Sequence, residues 1–169
     1  MTIEASVSSI DSYAFYKCNA LTSLIIKKIS SIGSYGFASC TSLTSVTFSV
    51  DSGSLYGIGD GAFASCSNLT TVSIPSTAIS SLGFIGARAF YECKKLTSIA
   101  IPSAVKTINE YTFYKCSSLV SITLPSILSS INNYAFIGCT SLTSIAIPGV
   151  SFIGIVIIIL YIYYYHHNI

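Results

Sequence analysis

Six cysteines are the residues of this 169-residue chain whose chemistry would matter most if they met. Thiols can pair as disulfides, hold zinc or act as thiolate nucleophiles. They stand at Cys18, Cys40, Cys66, Cys93, Cys116 and Cys139, in steps of 22, 26, 27, 23 and 23. Zinc sites use close pairs such as C-x-x-C, and no two cysteines here are nearer than 22 residues. The other reactive groups are as scattered. The only histidines, His166 and His167, close the chain, and the six acids are spread along it. A Ser-His-Asp set cannot be built from such a distribution. The two histidines lack a second ligand cluster and read as part of a tail. The expectation is therefore no catalytic, cofactor or metal site, no cofactor, and no enzyme.

The spacing of the cysteines carries another message, because other residues keep step with them. Three residues before each is a phenylalanine: Phe15, Phe37, Phe63, Phe90, Phe113 and Phe136. Eight before is an isoleucine: Ile10, Ile32, Ile58, Ile85, Ile108 and Ile131. Three after is a leucine: Leu21, Leu43, Leu69, Leu96, Leu119 and Leu142. Six and eight after are aliphatic or aromatic throughout, from Leu24 and Ile26 to Ile145 and Ile147. Such columns mean tandem coils, in which equal positions stack into continuous apolar spines. The even number of cysteines then follows merely from six repeats. Free Cys packs as a small buried hydrophobe. The six are read as a ladder of reduced thiols in preference to disulfides or metal ligands.

The periods within a coil assign its parts. In Ile122-Thr123-Leu124 apolar and polar residues alternate, which predicts a half-buried strand ended by Pro125. Phe113, Cys116 and Leu119 are three apart, which predicts one or two turns of helix. The expected architecture is an α/β solenoid of six coils, each with a short parallel strand and a short helix. At about 4.8 Å between strands, the sheet should run roughly 25–30 Å. Thr2-Ile3-Glu4 aligns with Thr123-Leu124-Pro125, so the chain starts inside a strand. Extra residues in the longer repeats, such as 51–54 and 80–84, fall between strand and helix, where loops absorb insertions.

These columns resemble the BspA-like leucine-rich repeat family, known from surface proteins of bacteria and anaerobic protists. The nearest copies of its pattern are Ile32-Gly33-Ser34-Tyr35-Gly36-Phe37-Ala38-Ser39-Cys40 and Asn133-Tyr134-Ala135-Phe136-Ile137-Gly138-Cys139. The resemblance covers residue 3 to about 154 and implies a leucine-rich repeat solenoid. It also implies adhesion or protein binding at a cell surface, and no catalytic residues. The fold by itself does not fix the partner.

Two surfaces are candidates for binding. The outward strand positions Ser45, Thr47, Thr71, Ser73, Ser98, Ser121, Thr123 and Ser144 make a hydroxyl-rich face with little charge. It serves either solubility and β-propensity or recognition. Tyr13, Tyr35, Tyr111 and Tyr134 share one column, and Tyr16, Tyr91 and Tyr114 another. Tyrosine gives contact area at low entropy cost, although partial burial under the next coil would account for it equally. Asn68-Leu69-Thr70 is a formal glycosylation sequon with a spine residue at its centre.

Charge and composition narrow the partners. Only 8% of residues are charged and the formal net charge is +2, with no basic cluster. Nucleic acid is therefore not expected. Residues 1–149 form the solenoid in this reading, and residues 150–169 an apolar tail. Sixteen residues from Val150 to Tyr165 span about 24 Å as a helix, against a hydrocarbon core of about 30 Å. Membrane insertion of the tail competes with an Ile-rich strand that closes the stack and with a translated remnant. The first residues show neither a basic nor an apolar leader segment. A surface or membrane location is the first expectation and a cytoplasmic one the alternative. Neither end shows a polar capping repeat. The second reading is thus an intracellular scaffold, or a truncated array that self-associates at its ends.

Overall fold

A computed structural model describes residues 1–49, 55–75, 82–149 and 151–153. Each repeat is one coil of a leucine-rich repeat β-solenoid. The strands are β1 (Thr2–Ile3), β2 (Ser9–Ile10), β3 (Ser23–Ile26), β4 (Ser31–Ile32), β5 (Ser45–Phe48), β6 (Gly57–Ile58) and β7 (Thr71–Ser73). There follow β8 (Phe84–Ile85), β9 (Ser98–Ala100), β10 (Thr107–Ile108), β11 (Ser121–Thr123), β12 (Ser130–Ile131) and β13 (Phe152–Ile153). The main sheet is parallel with six strands in the order β1-β3-β5-β7-β9-β11. Its register pairs Ser23 with Ser45 and Leu24 with Val46, so the columns read from sequence are the columns of the sheet. The start inside a strand holds, since β1 pairs with β3.

A second set of strands was not anticipated. The residue before each column isoleucine joins it in a two-residue strand, giving the sheets β2-β4-β6-β8 and β10-β12-β13. Phe84, read above as part of an inserted loop, lies in β8 beside Gly57. The flanking insertions at 50–54 and 76–81 fall outside the described residues, yet Ile58 and Ile85 on either side of the second keep register.

The short helix expected in each coil is not formed; the described residues contain no helix. In its place run consecutive tight turns, and the hydrogen bonds show why. Ala14, Tyr16 and Cys18 donate to carbonyls three residues back, at Asp11, Tyr13 and Phe15. The alternate amides of Tyr13, Phe15 and Lys17 donate instead to Ser34, Gly36 and Ala38 of the next coil. A helix needs every amide for itself, whereas here every second one ties coil to coil. The same ladder recurs from Tyr35, Phe37 and Ser39 to Tyr111, Phe113 and Lys115. The apolar spacing of three was real, but it is the spacing of turns.

The turns require left-handed backbone at two fixed places, five residues and one residue before the cysteine. Tyr13, Tyr35, Arg88, Tyr111 and Tyr134 take the first with φ near +60°, joined by Gly61. Lys17, Ser39, Ser65, Glu92 and Lys115 take the second, joined by Gly138. Left-handed φ is costly for residues with a Cβ, and most so for β-branched ones. Ser65 has φ of 59° and donates its amide to Tyr91. Ser65→Val should therefore lose about 1–2 kcal/mol. Ser65→Gly should hold or gain, because relief of strain offsets the roughly 0.5–1 kcal/mol glycine entropy cost. Urea titration of both variants checks this, and a Val variant as stable as the Gly variant would refute the turn geometry.

Glycine also sets how closely coils approach. A Cβ at Gly86 would lie 2.5 Å from the Asp60 amide nitrogen and 2.6 Å from the Gly59 carbonyl carbon. One coil on, Asn109 occupies the equivalent place and its amide reaches back to the carbonyl of Ile85. The core runs the length of the stack. Phe37, Phe63, Phe90 and Phe113 are fully buried with Cys40, Cys66, Cys93 and Cys116 and the column leucines. Adjacent phenylalanine rings from Phe15 to Phe136 lie 5.0, 5.5, 5.7, 5.6 and 5.5 Å apart, within 7° of parallel.

Candidate functional site

The cysteine column is the simplest to place. All six are free thiols, five of them buried and Cys18 half-buried. From Cys40 onward, the five sulfurs donate to the carbonyl of the phenylalanine one coil earlier. Cys40 reaches Phe15 at 3.1 Å, Cys66 reaches Phe37 at 3.2 Å, and Cys93 reaches Phe63 at 3.2 Å. Cys116 reaches Phe90 and Cys139 reaches Phe113, both at 3.1 Å. Each of those carbonyls also accepts the amide of the cysteine in its own coil, so the thiol is its second donor. Burial pushes Cys93 and Cys139 up to about 12 and raises Cys116 strongly. The contact with the Cys40 sulfur, and then burial, raises Cys66 far above a free thiol. The raised thiols are inert at neutral pH, whereas the contact with the Cys66 sulfur lowers Cys40.

The hydroxyl-rich face sits on the main sheet. Thr47, Thr71, Ser73, Ser98, Ser121 and Thr123 are exposed on alternate strand positions, and Ser45 is half-buried. Ser144 lies beyond β11, exposed on a segment without strand pairing among the described residues. The threonines one position earlier behave differently. Thr44, Thr70 and Thr97 donate their hydroxyls to the carbonyls of Thr22, Thr44 and Thr70, at 2.9, 2.9 and 3.3 Å. Val120 ends that ladder and is 60% exposed. Hence one hydroxyl column locks coils together, while the face columns turn to solvent.

The tyrosines come together as ridges on the face made by the turns. Tyr13 stacks on Tyr35 at 5.2 Å, Tyr91 on Tyr114 at 4.9 Å, and Tyr111 on Tyr134 at 5.0 Å. Tyr16 meets Tyr13 edge-on at 5.8 Å, as Tyr111 meets Tyr114 at 5.6 Å. Tyr13, Tyr35, Tyr111 and Tyr134 stand at the left-handed turn positions, and each stacked pair joins one coil to the next. Sequence columns found the tyrosines but missed their companions. Arg88 fills a tyrosine position and lays its guanidinium 4.8 Å from the Tyr111 ring centre. Lys17 and Lys115 stand over Tyr16 and Tyr114, both at 5.1 Å. Gly61 fills the same column as Arg88, and the ring of Tyr35 covers it. The signal for all of these was the shared column. Tyr56 and Phe84, exposed near the minor sheet, had no such signal.

The electrostatics of the ridge are mild. Lys115 and Lys94 lie 3.7 and 4.0 Å from the two oxygens of Glu92. Exposed pairs of this kind add little stability. The Tyr114 ring raises the Lys115 ammonium, while burial and then Glu92 raise the Tyr91 phenol. Among the described residues no group of three or more His, Cys, Asp and Glu side chains could hold a metal ion. Asn68 donates its amide to the Thr41 carbonyl, and Leu69 beside it is fully buried. His166-His167 and the apolar tail from residue 154 lie outside the described residues. Phe152 and Ile153, where the tail begins, pair with β12 as the next strand of the minor sheet. Among the described residues no helix is long and apolar enough to cross a membrane.

Comparison with known proteins places this geometry in a family. The family model of the BspA type leucine rich repeat region matches residues 1–83 and 83–158, in six copies. No curated protein matches the chain. A leucine rich cell surface protein from Faecalibacterium prausnitzii is 37% identical with a TM-score of 0.77, over 90% of this chain and 42% of that one. A leucine-rich repeat protein from Bacteroides ovatus is 25% identical with a TM-score of 0.63, over 87% of this chain and 43% of that one. The Treponema pallidum leucine rich repeat protein shares the fold with a TM-score of 0.84 at 23% identity, over 100% of this chain and 83% of that one. This chain thus spans under half the length of the first two proteins. Its six matched repeats, like its columns of Phe, Cys, Leu and Ile, are those of one family: the chain belongs to the BspA type leucine rich repeat proteins.

Proposed function

We propose that this chain is a non-enzymatic binding module that acts at a cell surface, in adhesion or protein–protein interaction through its outer faces. The observation that carries this reading is the ridge of Arg88, Tyr91, Tyr111, Tyr114 and Tyr134, with a smaller counterpart at Tyr13, Tyr16 and Tyr35. These side chains lie outside the buried spine. Tyrosine and arginine are the side chains that dominate binding energy at protein interfaces. Leucine-rich repeat proteins in general bind proteins, and the Faecalibacterium relative is a cell surface protein. The hydroxyl face supplies a second, flatter platform from Ser45 to Thr123.

Two measurements test the reading together. Protease shaving of intact native cells should release the chain, and an untouched chain overturns the surface assignment. Purified chain should bind within a panel of immobilised extracellular matrix proteins. The combined change Arg88→Ala, Tyr111→Ala and Tyr114→Ala should weaken that binding by about tenfold or more. Ser98→Ala with Ser121→Ala reports on the sheet face in the same assay. Binding that neither set disturbs would remove both faces as the site.

A further inference from the structure

The stacked tyrosines place phenol rings of adjacent coils face to face, and they do so in three separate pairs. In Tyr91 and Tyr114 the ring centres are 4.9 Å apart and the planes 12° from parallel. In Tyr111 and Tyr134 the values are 5.0 Å and 24°, and in Tyr13 and Tyr35 5.2 Å and 11°. In each pair one ring belongs to one coil and its partner to the next. All six side chains are half-buried or exposed, so a small oxidant reaches them. Held contact of two reacting groups replaces a bimolecular encounter by an intramolecular step.

We propose that these pairs are oxidative coupling sites. A one-electron oxidant of the haem-peroxidase class, consuming hydrogen peroxide, joins Tyr91 to Tyr114 and Tyr111 to Tyr134 as dityrosine and staples neighbouring coils. Each phenol gives up its hydroxyl hydrogen as one electron and one proton, leaving two phenoxyl radicals. The radicals form one carbon–carbon bond between ring carbons next to the oxygens. Each joined carbon then releases its hydrogen as a proton while its oxygen takes one up, which restores both aromatic rings. The balance is two tyrosines and one hydrogen peroxide giving one dityrosine and two waters.

Thiols are usually the first side chains to be oxidised, and here they are sheltered. Cys93 and Cys116 are fully buried in the spine and their thiols are held protonated, so they offer no thiolate to an oxidant. Only Cys18, in the first coil, is half-buried. The two pairs in the later coils are therefore the ones expected to couple, whereas a radical at Tyr13 has a reducing thiol in its own coil. Tyr56 supplies an internal control, since it is 59% exposed and has no ring partner among the described residues.

The test treats the full native chain, at high dilution, with a haem peroxidase and hydrogen peroxide. The expected result is blue dityrosine fluorescence, an intact monomer lighter by two hydrogens per link, and a higher unfolding temperature. Cleavage after Lys and Arg should then give peptide 89–94 joined to 107–115, and 107–115 joined to the peptide holding Tyr134. Folded chain should form these links about tenfold or more over chain unfolded in urea. Tyr114→Phe, which keeps the ring, should erase the link to Tyr91 and keep that from Tyr111 to Tyr134. Equal yields in urea, links confined to Tyr111 with Tyr114 inside one peptide, links dominated by Tyr56, or links only between chains would each overturn the proposal. So would sulfur oxidation with no dityrosine.

Discussion

Phe113→Ala is expected to cost about 3–5 kcal/mol, a large share of the stability of an ordinary domain. Phe113 is fully buried, with its ring between those of Phe90 at 5.6 Å and Phe136 at 5.5 Å. Removing it opens a cavity and breaks two stacking contacts, each worth about 0.5–1.5 kcal/mol beyond area burial. The surroundings cannot collapse to fill the hole. The Phe113 amide is tied to Ala135 and its carbonyl receives the Cys139 thiol, so the backbone on both sides is fixed. In a solenoid the loss falls on the two coil interfaces that the residue joins. Urea unfolding followed by hydrogen exchange should show the last coils released first, with the coils around Phe37 protected longer. A loss below about 1 kcal/mol, the size of a surface change, would mean that Phe113 is not part of the spine.

How far the fold could be read from sequence depended on which atoms carried the information. Side-chain columns were legible because burial repeats them: Phe90, Cys93 and Leu96 recur as a set, and all three are fully buried. The main sheet followed, since Ile122 alternates with Ser121 and Thr123. What failed was written in the backbone. A helix and a run of tight turns both bring apolar residues three apart to one side. The distinction lies in left-handed φ at Tyr111 and Lys115, and neither residue type announces it. Only Gly61 and Gly138, at the same two columns, hinted at such backbone. The minor sheets were missed for a similar reason, because two-residue strands such as Thr107–Ile108 are too short for any alternation to show.

The candidate surfaces divide in the same way. That Tyr91 and Tyr114 share a column meant that they would neighbour each other. That their rings stack at 4.9 Å, 12° from parallel, depends on the backbone that carries them. Arg88 escaped notice because a tyrosine column broken by arginine looks like a gap, yet a guanidinium over Tyr111 continues the ridge by other means. Ser144 shows the converse limit, for its column predicted a strand where the described chain forms none. Equal side chains in successive coils thus reveal neighbours, and the backbone between them decides how the neighbours touch.

The thiol ladder is expected to make this fold sensitive to alkali. Cys93 and Cys139 are pushed up to about 12 in the folded chain, against 9.0 for a free thiol. Below the free-thiol value both states hold the protons, and the thiols contribute their full share of stability. As pH rises from about 9 to about 12 the unfolded chain releases protons that the folded chain retains. The unfolded state then binds fewer protons, so stability falls with pH. Each such thiol removes about 1.4 kcal/mol per pH unit, so the two together remove about 3 kcal/mol per unit. Two units into the window that approaches the whole stability of an ordinary domain, about 5–15 kcal/mol. Urea midpoints taken under reducing conditions should be flat from neutral pH to the edge of the window and then drop. Tyrosines and lysines titrate there too, so the Cys93→Ala, Cys139→Ala double variant is the reference. It starts less stable, because two cavities open and two carbonyls each lose one of two donors, but its decline should be shallower by about 2–3 kcal/mol per pH unit. Parallel declines in the two proteins would mean that the buried sulfurs ionise as easily folded as unfolded. The carbonyl of Phe63, which accepts from Cys93 at 3.2 Å, would then face a thiolate that cannot donate. The ladder ties coil to coil only while its protons stay in place.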